Sequence, residues 1–189
     1  AYRQHHQKNG LAAFDITVKE TNLNIQAGSD LSKQAIQAVL TCRNQIETYI
    51  AYHPEFKTAY HPLRKDPMAP QLIQTMINAG IQADVGPMAA VAGAVAEYTG
   101  RCLLDLTDEV VVENGGDIFI KSDTDTVFGI HVSTSSLYAH MGIQVEQRSH
   151  AHGICTSSGT LGHSKSFGTA DAATVLAASC PLADAVATA

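Results

Sequence analysis

Val110-Val111-Val112-Glu113-Asn114-Gly115-Gly116-Asp117-Ile118-Phe119-Ile120 is the stretch that decides the fold class. Two runs of β-branched and aromatic residues flank an Asn-Gly pair, the strongest short signal for a tight hairpin turn. Upstream, Phe14, Ile16 and Val18 alternate with Asp15 and Thr17, residues 19–22 read as a turn, and Leu23, Ile25 and Ala27 alternate again. This is a second, half-buried hairpin. Downstream, further strands are expected around Phe128, Ile130 and Val132, around Met141, Ile143 and Val145, and over residues 153–156 and 173–177.

Between the hairpins the period is that of helices. Ser29 or Asp30 is placed to cap a helix in which Ile36, Val39, Leu40, Ile46 and Ile50 recur at three- and four-residue spacing, with His53-Pro54 ending it. Asp66-Pro67 reads as the start of a second helix, with Leu72, Ile73, Met76 and Ile77 as its buried stripe and Gly80 as its stop. Val85-Gly86-Pro87 starts a third, whose body over residues 88–98 is nearly all small side chains and which Gly100 closes. Pro181 marks the start of a last helix. Hairpins with helices grouped between them imply an α+β class, antiparallel sheet packed with helices, rather than a βαβ repeat. At 189 residues one domain over residues 1–189 is expected.

Composition narrows the partners. Hydrophobic residues make up 45% and charged residues 16%, enough apolar side chain for a core. A net charge of −6 argues against a phosphate-backbone surface, so no nucleic-acid partner is expected. The longest nearly apolar run, residues 85–96, is too short for a bilayer, so no membrane partner is expected either. Four scattered cysteines without a C-x-x-C pair suit a reducing compartment, and the expected location is the cytoplasm. Both ends read as incomplete, which leaves room for a cleaved export signal.

Several places have the residue types for chemistry. Cys155-Thr156-Ser157-Ser158-Gly159-Thr160-Leu161-Gly162-His163-Ser164 combines backbone freedom with hydroxyl donors, which suits an anion as well as it suits a surface loop. Cys155 near His163 admits a thiol-nucleophile reading, against which stands an inert buried cysteine at a strand end. Asn114, Gly115, Gly116 and Asp117 make a turn, and they also let a ligand lie against the backbone while Asp117 accepts from it; Glu113 points to the other face. Four-residue spacing on a helix stacks Asp184 and Thr188, a hard-oxygen pair that suits Mg2+ or merely caps a helix. Asp171 is a further carboxylate, while His5, His6, His131, His140, His150 and His152 lack the spacing of a metal site.

In order, residues 85–94, 112–118, 155–159, 162–164, 166–168, 170–172 and 182–189 resemble an uncharacterised bacterial and archaeal family of the ApbE-like superfamily, over roughly residues 55–189. Proteins of that superfamily bind FAD with Mg2+ and attach FMN to a Thr or Ser of a target protein. The resemblance implies an α+β fold with the ligand in a cleft. It implies Asp184 and Thr188 as metal ligands, and Asn114, Gly115, Gly116 and Asp117 as the flavin-pocket motif. Thr156, Ser157, Ser158 and Gly159 match the Ser/Thr-Ser-Gly segment, His163 the histidine after it, and the stretch from Gly86 to Gly93 the metal-binding helix start. Two features depart: the helix has no Ala-Lys-Gly run, and no Asp-Pro-x-Thr-Gly follows His163. The metal pair is kept better than the flavin-specific parts. The expectation is therefore a small phosphorylated, flavin-nucleotide-like ligand bound through Mg2+, with transfer or hydrolysis and His163 as acid/base. The alternative is a nucleotide- or anion-binding protein that has lost transferase activity, and a thiol hydrolase built on Cys155 and His163 is the weaker third. Assembly into a homo-oligomer is left open.

Overall fold

The computed structural model describes residues 8, 10–129, 142–146, 150–159 and 166–189. Strands β1 (Ala12–Val18), β2 (Thr21–Ala27), β3 (Val110–Asn114), β4 (Asp117–Lys121), β7 (His152–Ser157) and β8 (Ala173–Ala177) form a six-stranded sheet in the order β1-β2-β3-β4-β7-β8. Every neighbouring pair is antiparallel. Strands β5 (Thr126–Gly129) and β6 (Gly142–Val145) make a separate two-stranded ribbon. The parts expected at Ile130, Val132 and Met141 lie outside the described residues.

The helices are α1 (Ser32–Tyr52), the single turn α2 (Glu55–Thr58), α3 (Gln71–Ala83), α4 (Val91–Leu103) and α5 (Cys180–Thr188), with a 3₁₀ turn (Pro87–Ala90) leading into α4. They cover one face of the sheet, where Leu23, Ile25, Val110, Val112 and Phe119 are buried among Val39, Ile73, Met76 and Leu103. The opposite face carries Val111, Ile120 and Ile154 under Phe128 and Val145 of the ribbon. Strand alternation thus divides Val110 and Val112 from Val111. Among the described residues no single helix is long and apolar enough to cross a membrane.

Four local expectations are corrected. The buried stripe of α1 is Ala35, Ala38, Val39, Cys42 and Ile46, while Ile36 and Leu40 are exposed, so the small side chains face the core. Asp66 does not start α3: its carboxylate accepts from the N–H of Met68 in a turn, and the helix begins at Gln71, after Pro70. Gly80 does not stop α3, which runs on to Asp84 in the left-handed region at φ 57°; a Cβ on Gly80 would meet the Val85 carbonyl at 2.7 Å. Gly100 does not close α4 either. The Phe119 ring lies 2.1 Å from where its Cβ would be, so the glycine lets the sheet meet the middle of the helix. Helix propensity costs about 1 kcal/mol there, less than the roughly 1.5–3 kcal/mol from fully burying an aromatic side chain.

Candidate functional site

The strand register assembles the first part of the site. Asn114 lies opposite Asp117, and Asp117 opposite Cys155, so three adjacent strands present these side chains in one row. The row is on the helix-covered face, that of Val112 and Phe119. The two glycines of the turn serve different needs. Gly115 has φ 67°, the positive value a two-residue hairpin loop demands of its first central residue. Gly116 allows a close approach: its carbonyl accepts from the Thr156 N–H at 2.9 Å, and a Cβ would lie 2.4 Å from the Thr156 carbonyl.

Helices α4 and α5 complete the site by capping one another. Asp184 of α5 accepts from the Gly93 N–H at 2.8 Å and from the Ala92 N–H, at the start of α4. Glu97 of α4 accepts from the Cys180 N–H at 2.7 Å, at the start of α5. Each helix thus offers the free N–H groups of its first turn to a carboxylate of the other, where the helix dipole favours negative charge. Glu97 is held in turn by Arg101, one turn along at 2.7 Å. Gly93 permits the arrangement, since a Cβ there would sit 2.5 Å from the Cys180 carbonyl oxygen. Asn114 joins the same end of α4, donating through Nδ2 to the Ala92 carbonyl at 3.0 Å. Thr188 stacks one turn beyond Asp184, as their spacing predicts, and its hydroxyl bonds the Asp184 carboxylate.

Glu97 carries no motif, yet it is the one charge in the small-residue run over residues 85–98, which was the available signal. Glu97→Ala is expected to cost about 2 kcal/mol by leaving a buried N–H and Arg101 unmatched. Glu97→Gln, which keeps an acceptor, should cost less than half of that. Urea denaturation of the two variants measures the difference, and equal losses would show that the acceptor is not what matters.

Two acids share this desolvated site. Burial pushes the Asp117 carboxyl up to about 7, against a hydrogen bond from the Cys155 thiol that lowers it. Burial, then the neighbouring Asp117 charge, pushes Asp184 well above the carboxylate range, opposed by the N–H groups of Gly93 and Ala92 and by Thr188. Cys155 is fully buried with its Sγ 3.5 Å from that of Cys180, and burial raises its thiol well above the ordinary value. That is the reverse of what a nucleophilic cysteine needs.

Asn114, Asp117, Gly93, Asp184 and Thr188 are therefore brought together, while Gly86 and Thr156 stand apart. Gly86 packs against the segment before α3: its N–H bonds the Tyr60 carbonyl at 3.0 Å, and a Cβ would lie 1.8 Å from the Ala59 carbonyl. Thr156 lies in β7 on the face opposite Cys155, with its hydroxyl 3.0 Å from that of Thr174. Ser157 and Ser158 are half-buried at the strand end, and the Gly159 N–H bonds the Ala170 carbonyl at 3.0 Å. The far side of that loop reaches α5, where the Phe167 N–H bonds the Thr188 carbonyl at 2.9 Å. Asp171 is exposed. His163, His131, His140, His5 and His6 lie outside the described residues.

Comparison with known proteins agrees with this architecture. The family described as AbpE bacteria matches residues 3–189. A UPF0280 protein of Methanococcus maripaludis (strain C5) is 42% identical over 177 residues, covering 92% of this chain and 72% of that protein. A UPF0280 protein of Archaeoglobus fulgidus is 42% identical over 178 residues, covering 93% and 72%. Among solved structures, a mutant of the flavin transferase ApbE from Vibrio cholerae superposes with a TM-score of 0.50 at 13% identity, over 94% of this chain and 85% of that one. The α+β fold, antiparallel sheet packed with helices, is thus shared with ApbE. By its match over nearly the whole sequence, and by relatives above 40% identity, the chain belongs to the AbpE bacteria family, alongside the UPF0280 proteins.

Proposed function

We propose that the chain binds a phosphorylated ligand of the flavin-nucleotide class, FAD or a relative, with Mg2+ held by Asp184 and Thr188. The observation that carries this is the convergence of two desolvated acids, Asp117 and Asp184, at the N-terminus of α4, each pushed toward its protonated form. Such a pair favours a cation between the carboxylates once both ionise. The donor set is all hard oxygen: the Asp184 carboxylate, the Thr188 hydroxyl bonded to it, Asp117, and the Ala92 carbonyl beside Asn114. Among the described residues no cluster of three or more His, Cys, Asp or Glu side chains is placed to hold a metal ion. A shell completed by ligand phosphate and water is the usual one for Mg2+.

In this reading each part of the site has a task. Asp184 and Thr188 hold the cation, which when bound neutralises phosphate charge and polarises phosphorus. Asn114, Gly115, Gly116 and Asp117 form the wall against which the ligand lies, Gly115 and Gly116 presenting bare backbone. Ser157, Ser158 and Gly159, with Thr156 bracing the strand behind them, supply donors to the phosphates. His163 is the acid/base group for transfer or hydrolysis. A second reading, binding without turnover, is favoured by one feature: residues 85–98 contain no Lys, where the flavin transferases have one.

The test is incubation of the intact protein with FAD and Mg2+. Release of AMP supports transfer or hydrolysis, and retention of intact FAD supports binding alone. No retained FAD and no Mg2+-dependent rise in thermal midpoint would sink both. Mg2+ should bind more tightly as the pH is raised from about 6 to about 8, because protons on the acid pair compete with the cation. Asp184→Asn is expected to abolish the Mg2+ response and to lower the stability of the free protein modestly, because only one of its two oxygens is kept for the Gly93 and Ala92 N–H groups.

A further inference from the structure

Cys155 in β7 and Cys180 at the start of α5 are free thiols, both fully buried. Their Sγ atoms are 3.5 Å apart although 25 residues separate them in the chain. At this distance the two sulfurs are in van der Waals contact, beyond the about 2.05 Å of a disulfide. The approach is built into the backbone. A Cβ on Gly153, two residues before Cys155, would lie 2.3 Å from the Cys180 Cα, so only glycine lets the first turn of α5 press onto β7 here.

We propose that Cys155 and Cys180 are a redox-modification site, which a peroxide converts to a disulfide tying the first turn of α5 to β7. A thiol of the pair gives up its proton as its sulfur attacks one peroxide oxygen; the O–O bond breaks, the departing hydroxide takes up that proton and leaves as water, and a sulfenic acid remains. The neighbouring thiol sulfur then attacks the sulfenic sulfur, the S–S bond forms, and the S–O bond breaks to release a second water. Two thiols and one hydrogen peroxide thus become one disulfide and two waters, the sulfurs losing two electrons to the peroxide oxygens. Burial keeps both thiols protonated at neutral pH, so the reaction is slow, and with neither thiol exposed only a small oxidant reaches them. The link bears on the acid pair, because Asp184 lies one turn along α5 from Cys180 and Asp117 faces Cys155 across the strands. Oxidation clamps both supports and withdraws the thiol proton that bonds Asp117. The formation of the disulfide does not depend on the ligand proposed above.

The experiment treats the native full chain with hydrogen peroxide, then denatures it, alkylates free thiols with N-ethylmaleimide and maps unreduced peptides by mass spectrometry. The expected product is the Cys155 peptide joined to the Cys180 peptide, two hydrogens lighter than their sum and released by dithiothreitol. Exposed Cys102 serves as the in-tube sign that the oxidant has acted, and buried Cys42 is expected to be recovered alkylated. Recovery of Cys155 and Cys180 as alkylated thiols after Cys102 has been oxidised overturns the proposal. So does a disulfide from either of them to Cys42 or Cys102. The wild-type chain alone decides the matter, so no result depends on whether a cysteine variant folds.

Discussion

Gly93→Ala is expected to destabilise the protein severely. The added methyl would sit 2.5 Å from the Cys180 carbonyl oxygen, 2.8 Å from its carbon and 2.9 Å from the Asp184 Cβ. Two of these contacts are backbone, so no flexible side chain can swing away, and α4 must part from α5. Parting them lengthens both reciprocal caps, Gly93 N–H to Asp184 and Cys180 N–H to Glu97, now at 2.8 and 2.7 Å. Overpacking costs about 1–3 kcal/mol, and each buried group left poorly bonded about 1–3 kcal/mol more. The gain in helix propensity from replacing glycine is only about 1 kcal/mol. The net loss, roughly 2–8 kcal/mol, is a large part of a typical domain's stability. Gly168→Ala is the control: Gly168 is exposed, and the nearest atom to an added Cβ is the Ser166 Oγ at 3.8 Å. Urea denaturation should separate the two variants clearly. A Gly93→Ala protein within about 1 kcal/mol of wild type would mean that the helices are not packed through this glycine.

The free protein is also expected to lose stability as the pH rises from about 5 to about 8. Asp117 has an ordinary value of 3.8 and is pushed up to about 7 in the folded chain, chiefly by burial. Between those values the folded state holds a proton that the unfolded state has released. The stability this contributes is complete below about pH 4 and is lost as the pH climbs through 7. The slope for one such proton approaches about 1.4 kcal/mol per pH unit, and Asp184, raised by the same burial and by Asp117, acts in the same direction. Surface carboxylates such as Asp30 and Glu47, lowered chiefly by hydrogen bonds from Ser32 and Lys19, have the opposite sign, but they are already ionised above about pH 5 and add no slope there. Thermal midpoints measured across this range in the presence of a chelator should fall for wild type and fall less for Asp117→Asn. A flat wild-type profile would show that the acid pair carries no extra proton. Saturating Mg2+ should reverse part of the fall at the alkaline end, since a cation stabilises the ionised pair that bare protein resists.

The elements that could be read without coordinates are those set by neighbours in the chain. Alternation placed β1 and β2, the Asn-Gly turn placed β3 and β4, and Pro181 placed the start of α5 within a residue. Four-residue spacing was enough to stack Asp184 on Thr188, because helix geometry alone fixes that contact. Side-chain size, by contrast, does not fix which way a helix faces. In α1 the bulky Ile36 and Leu40 are exposed, while the smaller Ala35, Ala38 and Cys42 are buried. Glycine is ambiguous for the same reason. Gly80 and Gly100 look like helix stops in isolation, but each is a place where another part of the chain occupies the space of a Cβ.

The candidate site divides along the same line. Its residue types, two carboxylates, an amide, a hydroxyl and a glycine-rich turn, are present in the sequence as separate weak signals. Only the tertiary structure decided that Asn114, Asp117 and Cys155 share a row, that Asp184 and Glu97 each cap the other's helix, and that Thr156 faces away. Local structure follows from sterics and hydrogen bonds within a few residues, which a sequence records directly. The meeting of Gly93 with Asp184, 91 residues away, follows from how whole helices and strands pack, and that depends on every buried contact at once.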